Sequence, residues 1–87
     1  MAASIEPVGR VTAFFPKPSA AVIQLTATLR VGEIVHIKGR TTDLVQPVGS
    51  LQIAKRPVQQ AEAGQVVGLV VAGKCRRRDV VYRLNDD

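Results

Sequence analysis

Apolar and polar residues alternate along most of this chain, in short runs broken by glycine and proline. Val11 and Ala13, Ile23 and Leu25, and Val35 and Ile37 are each spaced by two, the last pair interleaved with His36 and Lys38. A period of two places one set of side chains on each face of a pleated strand. The pattern predicts strands over residues 7–15, 20–27, 35–38, 44–55, 66–72 and 79–84, about six in all. Turns fall at 16–19, 31–33 and 40–43, with further glycines at 64 and 73. Proline cannot serve a central ladder, so Pro16 and Pro18 end the first strand. Residues 44–55 change phase: Val45 is odd, Val48 even, Leu51 and Ile53 odd again, with Pro47 and Gly49 at the slip. A bulge is the expected cause. Residues 56–64 read as a loop, because Pro57 and Gly64 bound them too closely for a stable helix. Residues 1–6 read as a flexible tail, leaving one domain over 7–85.

Composition strengthens this picture. The chain has 87 residues, of which 46% are hydrophobic but only 3% aromatic, so the core is aliphatic. Fourteen valines and five isoleucines outnumber leucine. Branching at Cβ restricts χ1 against a helical turn and suits a pleated surface. Regular short strands without a helix imply a small all-β, six-stranded antiparallel Greek-key barrel, whose closure also removes exposed strand edges.

Charge and reactive residues narrow the chemistry. The net charge is +5 and the pI about 10.2, which favours polyanionic partners. Cys75 is the one cysteine and His36 the one histidine. Neither a disulfide nor a Cys/His zinc site fits within one chain, and neither a metal nor another cofactor is expected. The start, MAASIEPVGR, lacks a basic, apolar leader pattern, and the longest apolar runs are far short of the ~20 residues of a membrane span. A cytoplasmic protein with no membrane partner is the expectation.

Three segments, LRVGEIVHIKG, VGSLQIAK and AEAGQVVGLVVAG, followed by DVV, carry a family resemblance. Val31, Gly32, Val35, Ile37 and Gly39, then Leu51, Lys55, Ala63, Gly64, Val67, Gly68 and Leu69, resemble the second domain of translation elongation factors such as elongation factor Tu. A similar small barrel is the extra C-terminal domain of some collagenase-like bacterial peptidases. The first resemblance implies a barrel that packs against a GTPase domain and contacts the aminoacylated end of tRNA near Gln52 and Lys55. Where that family has an acid and an arginine, this chain has Gln52 and Lys55. Arg78 stands where a turn glycine usually precedes the DVV strand. No phosphate-binding loop of the G-x-x-x-x-G-K-[ST] kind is present.

Four basic residues in five positions, Lys74, Arg76, Arg77 and Arg78, exceed what a turn requires. Arginine grips phosphate through paired donors. The leading expectation is a non-catalytic barrel that binds tRNA or ribosomal RNA. Its contacts would be Lys74, Arg76, Arg77, Arg78, Lys55, Arg56 and Gln52, with Lys38 and Arg40 if they share that side. The alternative is a protein-docking module that packs against a GTPase or an enzyme core. His36 is expected to point outward. Cys75 among arginines would have a lowered pKa if exposed. Asp43 and Asp79 read as turn caps. Neither a nucleophile constellation nor an acid/base pair emerges, so an enzyme is not expected.

Overall fold

The computed structural model describes residues 4–85. Among them are ten short strands and no helix: β1 (Ser4–Phe15), β2 (Ala20–Leu25), β3 (Leu29–Arg30), β4 (Ile34–Lys38), β5 (Asp43–Pro47), β6 (Leu51–Ile53), β7 (Arg56–Val58), β8 (Gln60–Ala61), β9 (Val66–Val70) and β10 (Val80–Asn85). Eight form one sheet in the order β5-β4-β10-β1-β2-β9-β6-β7, and β3 pairs β8 separately. Every ladder is antiparallel.

The connectivity explains why the sheet curls into a barrel. Strands β5 and β6 follow one another in the chain but stand far apart in the sheet, with β4, β10, β1, β2 and β9 between them. In a flat sheet they would be ~29 Å apart, at ~4.8 Å per strand. The link from Pro47 to Leu51 reaches at most ~14 Å. The sheet must therefore roll until its ends meet. A side chain completes the seam: Gln46 Nε2 donates to Val70 O (3.0 Å), and Ala72 N donates to Gln46 Oε1 (2.8 Å). One amide does the work of two ladder bonds.

This corrects the expectation for residues 44–55. They are not one bulged strand. At Pro47–Gly49 the chain leaves β4 and crosses to β9, and Val48 turns into the core. The register shifts lie in β1 instead, between Pro7 and Gly9 and between Val11 and Ala13. Residues 56–64 are not a plain loop, since β7 pairs β6 and β8 pairs β3. Of the expected tail, Ser4, Ile5 and Glu6 pair with Asn85, Leu84 and Arg83; residues 1–3 lie outside the described residues.

The core holds the inward set of every long strand. Val8, Val11, Ile23, Leu25, Val35, Ile37, Leu51, Val67, Leu69 and Val81 are essentially inaccessible. Each fully buried aliphatic side chain contributes about 1.5–3 kcal/mol through surface removed from water. Phe14 packs partly against this cluster, whereas Phe15 is exposed.

The β3–β8 pair covers one end of the barrel, burying Leu29 and Ala61. Arg83 fills the rim beside it. Its Nη1 donates to Thr28 O (2.5 Å) and lies 3.4 Å from Glu33 Oε2, and its guanidinium also pairs with Glu6. The bond to Glu6 comes first among the causes that hold Arg83 firmly charged.

Candidate docking faces and the basic turn

The turn before β10 is built around Asp79. Its carboxylate is buried and its Oδ2 accepts the Arg76 N–H (2.8 Å), while Asp79 N donates to Arg76 O (3.1 Å). This reciprocal pair closes the turn, as expected for an acid at that position. Arg78 adopts a φ of 75°, the left-handed region that suits glycine. Its N–H donates to Val11 O (2.9 Å), and Arg77 Nε donates to Thr12 O (3.1 Å). Gly39 lies directly against this acid. A Cβ there would stand 1.9 Å from Asp79 Oδ1, so only glycine lets the β4–β5 loop approach.

The nucleic-acid candidates do not form one group. Lys38 lies opposite Val80 at the start of β10, and Gly39 brings the loop carrying Arg40 against Asp79, so these two join the end that bears Arg76, Arg77 and Arg78. Lys74 follows Gly73, which lies against Leu44 of β5. Arg10, unmarked in the sequence, lines a shallow groove of ≈ 270 Å³ with Thr12, Arg77 and Arg78. Gln52 and Lys55 line another groove, on β9 and β2, and Arg56 follows Lys55.

Cys75 does not meet the condition for reactivity. It is buried, and its thiol is pushed up to about 11, first by burial and then by the charge of Asp79. Such a thiol is protonated and unreactive at neutral pH. His36 does face outward, and its Nε2 lies 2.5 Å from Asp43 Oδ1. Among the described residues no cluster of three metal-binding side chains occurs, and no helix is long and apolar enough to cross a membrane.

The register reveals what the sequence pattern did not. Partners across a ladder share a face of the sheet. Ile5, Leu84, Ile34 and Pro47 therefore stand in one outward row across β1, β10, β4 and β5. Pro7, Tyr82, His36 and Val45 stand in the next. Ile5 is 63% exposed and Val45 58%. Neither row contains lysine, arginine or a carboxylate. The third row, Arg10, Val80, Lys38 and Asp43, is charged and bounds the face. In the sequence these residues are isolated apolar positions spread across the chain; only pairing makes them a surface.

A second apolar area lies over β2 and β9. Ala20 pairs with Val70, Val22 with Gly68 and Gln24 with Val66. Val66 is 50% exposed, and with Phe15, Ala20 and Val22 it lines a groove of ≈ 450 Å³.

Comparison with known proteins places this geometry. No family model matches the chain. An uncharacterized protease of Methanocaldococcus jannaschii is 38% identical over 80 residues, covering 91% of this chain and 20% of that protein. The chain thus spans about a fifth of the length of this curated relative. The C-terminal domain of a Geobacillus thermoleovorans protein named as a U32 peptidase superposes with a TM-score of 0.84 at 18% identity, covering 90% of this chain and 91% of that one. Its selenomethionine variant gives 0.80 at 18% identity, with 93% and 99% covered. The all-β barrel is shared with these structures. The similarity to the peptidase C-terminal barrel holds.

The translation-factor expectation does not. The matching proteins are named as a protease and as U32 peptidase domains, which overturns an elongation-factor-like role in RNA binding. The reason lies in the residues that carried the resemblance. Val35, Ile37, Leu51, Val67 and Leu69 are all buried, and Gly32 and Gly64 take positive φ in turns. They encode a barrel, and a barrel serves many partners.

Proposed function

We propose that this barrel is a non-catalytic docking module of a U32-peptidase type of protein, held to the body of that enzyme by the outer face of β1, β10, β4 and β5. The observation that carries the reading is the pair of outward rows from Ile5 to Pro47 and from Pro7 to Val45, neither of which holds a lysine, arginine or carboxylate. An apolar surface spanning four strands is unusual on a free monomer and marks an interaction site. The relative supplies the partner's character. Its matched region is a fifth of its length, so the same barrel there accompanies a much larger protease body. The chemistry would belong to that body. Within the barrel, the buried, protonated Cys75 and the carboxylate-paired His36 are not arranged as a nucleophile and its base.

Calorimetric titration tests this, with the M. jannaschii relative lacking its matched region as the partner. The chain should bind, and Val45→Glu should weaken binding by about 2 kcal/mol or more, since it buries a carboxylate in the face at an exposed position of β5. An unchanged circular dichroism spectrum would show that the variant is folded. Equal binding by Val45→Glu would remove this face from the proposal.

A further inference from the structure

The groove over β2 and β9 has features that the first face lacks. Its floor is apolar, made by Ala20, Val22, Val66 and Gly68, with Phe15 as one wall. Two cations border it and no carboxylate does: Lys17 from the β1–β2 turn and Lys55 from the β6–β7 turn. Gly68 sits within the floor, and a Cβ there would meet nothing within 4 Å. The glycine is not required by its backbone, which has no positive φ, nor by a close neighbour. What it leaves is a notch of side-chain size. Beside it stands the exposed amide of Gln52, directly across from Gly68 in the ladder.

The turn that presents Lys55 is also unusual. Ile53 pairs with Arg56, so Ala54 and Lys55 form a two-residue hairpin loop. Both have positive φ, 51° and 69°. Such loops favour Asn-Gly, and a lysine there is held in a conformation its Cβ disfavours. Backbone strain of this kind gathers at functional positions.

We infer that this groove binds an extended peptide segment with apolar side chains and flanking carboxylates. One apolar side chain would fill the notch over Gly68. The carboxylates would pair with Lys17 and Lys55, and the Gln52 amide would meet the peptide backbone. The inference rests on the reading above only in taking the barrel as a binding module. In a peptidase-type protein such a groove would hold substrate or a partner segment near the enzyme body. The complementary charge selects an acidic segment over a basic one.

The test uses the whole chain and a short fluorescein-labelled peptide of alternating glutamate and valine, read by fluorescence anisotropy at low salt. The peptide should bind, and its lysine–valine counterpart should bind at least about tenfold more weakly. Gly68→Val should fill the notch and reduce affinity by about tenfold while keeping the fold, because valine suits a strand. Lys17→Glu with Lys55→Glu should produce a similar loss, through repulsion of the carboxylates. Failure of the acidic peptide to bind overturns the proposal, as does indifference to Gly68→Val or equal binding of the basic peptide. Self-association through this groove, seen by sedimentation and abolished by Gly68→Val, would make a second copy the occupant and overturn it too. Val45→Glu should leave peptide binding intact, so this groove and the enzyme-facing surface stand or fall separately.

Discussion

Arg83 and the trio Arg76, Arg77 and Arg78 lie toward opposite ends of β10, and their guanidinium groups fare differently. Arg83 is enclosed, with Glu6, Glu33 and the Thr28 carbonyl around it. In the trio the backbone is anchored, through Asp79 and Val11, while the side chains face solvent and only Arg77 bonds a carbonyl. One arginine is a part of the fold; three are ornaments of a turn whose structure depends on their main chain. The contrast teaches that density of charge in a sequence is no guide to where charge holds the molecule together. The lone Arg83 is unmarked in the sequence, whereas the run of three stands out in it.

The comparison is broken most severely at Arg83. Replacing it with alanine leaves the Thr28 carbonyl without its donor and Glu33 with only the Arg30 N–H, and should cost about 2–3 kcal/mol in urea denaturation. The basic turn should respond with the opposite sign. Arg78→Gly relieves a left-handed residue and should stabilise by about 1 kcal/mol, whereas Arg76→Ala should stay within about 0.5 kcal/mol of the parent. A loss of stability in Arg78→Gly would mean that its side chain, not its backbone, is what the turn uses.

A change visible only at alkaline pH sharpens the same contrast, at Cys75 beneath the turn. Its thiol ionises near 9.0 when unfolded and only near about 11 when folded, first because it is buried and then because of the charge of Asp79. A pKa raised by folding contributes stability that is complete below the unfolded value and lost as the pH rises through the folded one. Stability should therefore decline between about pH 9 and 11, and Cys75→Val should flatten that decline. A thiol that reacts with a disulfide reagent as fast in the native chain as in urea would show that burial does not protect it.

Much of the barrel was legible because its strands keep their period. Val35–Ile37 and Ile23–Leu25 show which face is buried without reference to the rest of the chain. Arg78 was legible as a misplaced residue at a glycine position, and its φ of 75° gives the physical cause. What stayed hidden depends on partners distant in sequence. Gly39 is essential because of Asp79, forty residues later, and no local pattern announces that. The phase slip at Pro47–Gly49 was visible, but a bulge and a change of neighbouring strand leave the same trace. The two apolar faces were illegible for the same reason. Ile5, Ile34 and Val45 become a surface only through the register of β1, β10, β4 and β5.

The short crossing from β5 to β6 also decides where the chain meets its largest entropic barrier. Loop-closure entropy grows with the length of chain to be enclosed. Joining the two margins of the sheet encloses almost none, because Pro47 and Leu51 are nearly adjacent. The rung from Ser4 to Asn85 encloses nearly everything. Assembly is thus limited not by rolling up the cylinder but by the first and last strands finding each other, and a chain joined covalently across those ends would refold faster while its native contacts stayed the same.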